Sequence, residues 1–240
     1  MSNPFAATEG ADRRAPLVGC RACARLVAWR EAQAARVPPR FRAWVEEHGF
    51  WGRPVPAFGD PAAWLVIVGL APAAQGANRT GRMFTGDRSG DFLYAALHRA
   101  AMASRPVSEH RRDGLRLRGV MITAPVRCAP PGNRPEAGEA ENCRPYLRAD
   151  LAARRSLRVV LALGRIAHDG VGRLLRDQGL RLPEGARFRH GAAWRLPGGV
   201  WLVDSYHVSQ QNTFTGRLTC AMFDEILGLC RRLAGRREER

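Results

Sequence analysis

Among 240 residues the chain has no lysine, so all 38 of its Lys-plus-Arg positions are arginine. Nucleophilic catalysis through a lysine amine is therefore excluded, although a terminal amine is not. A GC-rich coding preference for arginine is a bland source of that absence, but the excess of positive charge survives it. Long hydrophobic runs are missing too. The longest mostly apolar stretch, residues 61–74, is interrupted by glycine and proline and is too short to span a bilayer, and residues 1–16 hold no apolar core of a secretory signal. A cytoplasmic, nucleoid-associated protein without a membrane partner is expected. Neither GKS or GKT, which a Walker loop needs, nor GxGxxG is present. There is no internal repeat, low-complexity linker or second compositional regime. One domain over residues 1–240 is expected, with 1–16 and 234–240 as disordered tails.

Apolar residues make up 45% of the chain, enough for one sizeable core at this length. Basic residues outnumber the 22 acidic ones for a net charge of +16, which points to a polyanionic partner, nucleic acid before membrane. Arginine forks onto phosphate through two parallel hydrogen bonds.

Four short, nearly continuous apolar runs read as central strands covered on both faces: "WLVIVG" (64–69), "GVMITAPV" (119–126), "LRVVLALG" (157–164) and "VWLVDSYH" (200–207). Helical spacing lies between them at 89–103, 139–153 and 165–178, with Ser89 or Asp91 as cap of the first, and 218–233 closes the chain as an amphipathic helix. This alternation predicts an α/β fold with a parallel sheet between helical layers. "RFRHGAAWRLPGG" is a candidate edge strand.

Ligands of open α/β sheets bind beyond the carboxyl ends of the strands. That puts three loops at one rim: "GLAPAAQGANRTGRMFTGD" (69–87), "APVRCAPPGNRP" and "SYHVSQQNTFTGRL". The glycines of the first let backbone amides approach an anion or a planar ring. Cys20 and Cys23 form a CxxC pair, with Cys128 and Cys143 as two further thiols; four thiolates suit a tetrahedral zinc site or a cubane iron–sulfur cluster, and spacing alone separates neither. Cys220 and Cys230 read as ordinary residues of the last helix.

The blocks "GLAPAAQGANRTGRMFTGDRSGDFLY", "VRCAPPGNRP" followed by "ENC", and "HVSQQNTFTGRLT" resemble the signatures of the family-5, type B uracil-DNA glycosylases, over Cys20 to about Leu218. Family-4 enzymes share the cysteine layout but read roughly GEAPG where this chain reads "GLAPA", so Leu70 stands at their acidic position. The resemblance implies a three-layer α/β/α sandwich around a mostly parallel four-stranded sheet. It also implies a structural 4Fe-4S cluster on Cys20, Cys23, Cys128 and Cys143. The implied partner is double-stranded DNA containing uracil or another damaged base, and a monomer is expected.

Hydrolysis of an N-glycosidic bond needs a held water, charge stabilisation for sugar and base, and an extruded nucleotide. With Leu70 and Ala71 apolar, the resemblance gives the water to Asp87 and Asn133 and the leaving base to His207. Phe84 is matched as the stacking aromatic, and the backbone near Gly69, Leu70 and Ala71 as the wall that binds the base. Ser209, Gln210, Gln211, Asn212 and Arg217 are matched to the duplex, with polar side chains replacing the extruded nucleotide. Asp87 read without the resemblance is equally a helix cap before "RSGDFLY". The alternative function is a metal-clipped DNA-binding module without activity.

Overall fold

A computed structural model describes residues 3–5 and 16–235. Six strands form one sheet: β1 (Phe58–Gly59), β2 (Leu65–Val68), β3 (Val120–Thr123), β4 (Val159–Leu163), β5 (Ala193–Arg195) and β6 (Trp201–Ser205). Their order is β1-β3-β2-β4-β6-β5. The four central strands are parallel and fall inside the four apolar runs, while β1 and β5 close the edges antiparallel. The sheet is thus six-stranded rather than four. The edge strand β5 lies within the candidate stretch. β1 has only two residues, too few for periodicity to announce, and its Gly59 (φ 143°) leaves room for the Val120 carbonyl that a Cβ would strike.

Alternation along each strand splits the core into two layers. Leu65, Ile67, Ile122, Leu161 and Val203 face α4 (Arg88–Arg99) and α8 (Cys220–Gly235), which supply Leu93, Leu97, Phe223 and Leu227. Val66, Val68, Val160, Ala162 and Leu202 face α5 (Ala137–Ala152) and α6 (Arg165–Arg176), which supply Leu147, Leu151, Val171 and Leu174. Covered on both faces, the strands have no polar side to show, hence their continuous apolar reading. The remaining helices are α1 (Ala24–Ala32), α2 (Arg42–His48), α3 (Ala77–Thr80) and α7 (Gln210–Phe214). No helix among the described residues is long and apolar enough to cross a membrane.

Two further expectations need correction. Neither Ser89 nor Asp91 caps α4: Asp87 does, its Oδ1 accepting the Gly90 N–H at 3.0 Å. The expected tail 1–16 is partly ordered, because Phe5 is fully buried in the second core layer and Asn3 Nδ2 donates to the Leu151 carbonyl at 2.8 Å. At the other end α8 runs through Gly235. Residues 1–2, 6–15 and 236–240 lie outside the described residues.

After the edge strand β1, the parallel part of the sheet begins at β2, moves outward to β3 and then returns to the other side of β2 with β4. That reversal makes the carboxyl end of β2 the switch point, the place where an open sheet of this kind leaves a crevice.

Candidate active site

A cleft of about 500 Å³ opens there, lined by Leu70, Ala71, Ala73, Met83, Phe84, Asp87, Ser89, Asn133, Arg134, His207, Ser209, Gln211 and Asn212, among others. Its walls come from the three loops after β2, β3 and β6. Of the residues singled out in the sequence, Leu70, Ala71, Phe84, Asp87, Asn133, His207, Ser209, Gln211 and Asn212 share this cleft. Gly69, Gln210 and Arg217 do not line it.

The loop after β2 owes its shape to its glycines, in a way the sequence did not announce. Gly69 was expected to offer its amide to the base. That amide instead donates to the Thr123 carbonyl at 2.8 Å, and a Cβ on Gly69 would stand 2.8 Å from the Phe84 ring. A Cβ on Gly76 would collide with Asp87 Oδ2, and one on Gly90 with the Phe84 carbonyl. The bare backbone therefore makes room for the chain's own aromatic and carboxylate, and sets both against the cleft. Phe84 itself has φ 53° and Asn133 φ 56°. Left-handed backbone is tolerable for Asn but strained for Phe, and strain of that kind gathers at functional sites.

Asp87 lines the cleft from the amino end of α4, whose free N–H groups favour negative charge there. Burial pushes its carboxyl above the usual range, while the backbone N–H groups of Gly90 and Ser89 and the charge of Arg79 hold it down. His207 lines the same cleft, its ring centroid 6.0 Å from that of Phe84. Burial lowers its imidazole from the ordinary 6.5 to about 4, so it is neutral near pH 7 and carries one N–H donor. Its carbonyl accepts the Asn212 side chain at 2.8 Å, tying α7 to the end of β6. Asn133 is exposed on the 131–133 turn and lines the cleft.

A cleft that brings a carboxylate, a neutral imidazole and an aromatic ring together suits a planar heterocycle that leaves as an anion. Ser89, Arg134 and Phe214 were not foreseen. Ser89 and Arg134 line the cleft, and Phe214, at the end of α7, is 73% exposed. Phe214 lies inside a polar segment, where an aromatic with no apolar partner in its pattern is the signal that marks it. Arg217 packs its guanidinium 4.5 Å from the Tyr206 ring centroid.

Away from the cleft, Cys20, Cys23, Cys128 and Cys143 line one small cavity with Leu26, Arg30 and Arg127. Arg30, 2% exposed, donates from Nη1 to Cys128 Sγ at 2.8 Å and from Nη2 to the Cys20 carbonyl at 3.1 Å. Burial pushes the Cys143 thiol up to about 12. Among the described residues no three His, Cys, Asp or Glu side chains close around a single ion.

A model of the Uracil DNA glycosylase superfamily matches residues 56–229. The Type-5 uracil-DNA glycosylase of Thermus thermophilus is 52% identical over 219 residues, 91% of this chain and 95% of its own. That of Mycobacterium leprae is 52% identical over 217 residues, 90% and 92% of the two chains. That of Pyrobaculum aerophilum is 45% identical over 213 residues, 88% and 87%. With a sheet whose switch point carries this cleft, and relatives aligned along nearly its whole length, the chain belongs to the uracil-DNA glycosylase superfamily.

Proposed function

We propose that the protein is a monofunctional DNA glycosylase that hydrolyses the N-glycosidic bond of uracil, and of other deaminated or modified bases, in double-stranded DNA and leaves an abasic site. The observation that carries this reading is the meeting of Asp87, Asn133, His207 and Phe84 in one cleft of about 500 Å³. The relatives named Type-5 uracil-DNA glycosylase support it.

The target base leaves the helix and enters the slot between Phe84 and the Leu70–Ala71 wall. Asp87 and Asn133 hold the water, the carboxylate also balancing positive charge on the sugar as the bond to the base lengthens. His207, neutral, donates a hydrogen bond to the departing base as its oxygen gains charge. Gly69 acts from beneath, by letting Phe84 lie flat. Ser209, Gln210, Gln211, Asn212 and Arg217 meet the duplex, polar side chains taking the place of the extruded nucleotide, with the exposed Phe214 beside them as an apolar wedge. With no lysine in the sequence, strand scission through a lysine imine has no donor.

The four cysteines would hold a 4Fe-4S cluster. Four cysteines lining one cavity supply the four sulfur ligands that a cubane cluster needs. Buried Arg30 supplies a positive partner for their charge. The cluster would be structural, clipping the arm before α1 to the loop after β3. The protein would act as a cytoplasmic monomer on DNA.

Purified protein incubated with a uracil-containing duplex is expected to give strand breaks only after alkali. Strands intact with and without alkali would favour the inactive DNA-binding module instead. Asp87→Ala is expected to keep duplex binding and lose about 10²- to 10⁴-fold in base release; unchanged turnover would remove Asp87 from its role.

A further inference from the structure

Arg79, in α3 on the floor of the loop after β2, is 2% exposed. Its Nε donates to the Gln75 carbonyl at 2.8 Å and its Nη2 to the Gly86 carbonyl, the residue before Asp87, at 3.1 Å. The guanidinium carbon lies 4.1 Å from the Phe41 ring centroid and 4.3 Å from that of Trp44. These rings come from the turn before α2 and from α2 itself, which have no other evident part in the site. A Cβ on Gly86, which has φ 85°, would stand 2.6 Å from Nη2, so that glycine is shaped around the fork. The segment is fastened from a second direction, since the Trp51 N–H donates to the Arg79 carbonyl at 2.9 Å and the Gly52 N–H to that of Asn78 at 3.0 Å. Arg79 Nη1 is buried with no hydrogen-bond partner among the described residues. Keeping a cation there is costly unless its charge serves a neighbour.

From this geometry we infer that Arg79 is a positioning residue for catalysis: clamped by Phe41 and Trp44, it fixes the peptide that carries Asp87 and directs its charge at that carboxylate. The inference rests on the proposed role of Asp87. The charged and titratable groups around Asp87 are Arg79 on α3, Asp91 on α4, Arg134 on the loop after β3 and His207 after β6. Of these, Arg79 favours the carboxylate form and Asp91 opposes it.

The test is single-turnover release of uracil from a duplex between about pH 5 and about pH 9, with affinity for an abasic duplex measured alongside. Arg79→Met is expected to lower the rate about tenfold or more and to move the acid limb of the profile to higher pH, with affinity within about twofold of the parent. Arg79→Lys, which keeps charge but not the fork, is expected to restore the limb and only part of the rate. Should Arg79→Met fail to fold, Trp44→Leu decides, with the same upward movement of the limb expected at smaller size. A folded variant with the parental rate and limb, or a loss confined to DNA affinity, would overturn the inference. Asp87→Asn run in parallel separates the two readings: full activity there sinks the role of Asp87 itself, whereas a dead Asp87→Asn beside an unmoved Arg79→Met sinks only the clamp.

Discussion

At the scale of single residues, the cleft holds two titratable groups away from their ordinary behaviour. His207 falls to about 4 by burial alone, and so it stays a neutral donor throughout the neutral range. The pH profile of kcat/KM should therefore show no break near 6.5. Its acid limb should lie above 3.8, where burial has moved Asp87, and should vanish in the residual activity of Asp87→Asn. Linkage gives a second consequence. Because the folded imidazole binds its proton more weakly than the unfolded one, the unfolded chain holds more protons between 6.5 and about 4. His207 thus costs stability as pH falls through that window and nothing above it. Thermal melts of His207→Asn should lose less stability than the parent over the window, while its base release falls about 10²- to 10³-fold. Asp87 shows why the sequence alone left two roles open. It caps α4 through Oδ1 and turns Oδ2 toward the space that Gly76 leaves free, so the cap and the cleft use the same side chain. Gly76→Ala should accordingly disturb catalysis more than folding, lowering base release about tenfold or more with a modest change in melting temperature.

At the scale of elements, legibility followed burial. β2, β3, β4 and β6 were readable because strands covered on both faces contain almost nothing polar, and the helices between them because each has one face on the sheet. α1 was not readable, since its inward residues Leu26, Val27 and Arg30 include a charge whose partners, Cys128 and the Cys20 carbonyl, lie elsewhere in the chain. α2 buries no residue fully and faces Arg79 with Trp44, again a contact no local pattern can announce. The site was legible as residue types but not as geometry: the loop glycines marked unusual backbone, yet whether they received a ligand or the chain's own Phe84 and Asp87 depended on tertiary placement. α7 carries a testable consequence of the same kind. Its Phe214 is exposed without a cover, and a wedge acts when the base is extruded rather than when the bond breaks. Phe214→Ala should weaken binding and slow turnover on paired uracil. It should have less effect on uracil in a mismatch or a single strand, where extrusion costs less. Equal losses on all three substrates would assign Phe214 to something other than the opening of the helix.

At the scale of the whole molecule, a net charge of +16 acts on every phosphate within reach, but on the proposed reading only cations at the cleft rim would make direct phosphate contacts and displace counterions from the bound duplex. Arg134 lies on that rim and Arg217 just beyond α7, each exposed, whereas Arg155 is exposed near the amino end of β4, at the other end of the strands. If the duplex lies across the carboxyl ends of the strands, affinity should fall steeply and linearly on a log–log plot against salt. Arg134→Ala and Arg217→Ala should each reduce the slope by about 1, and Arg155→Ala should leave it unchanged. Because phosphate contacts fix register without touching the scissile bond, single-turnover rates at saturating enzyme should remain near parental in the Arg217→Ala variant. Titrations of one uracil duplex at several salt concentrations check all three variants. An equal loss of slope from Arg155→Ala would mean that the charge works as a diffuse field around the protein, and that the cleft rim has no privileged hold on the DNA.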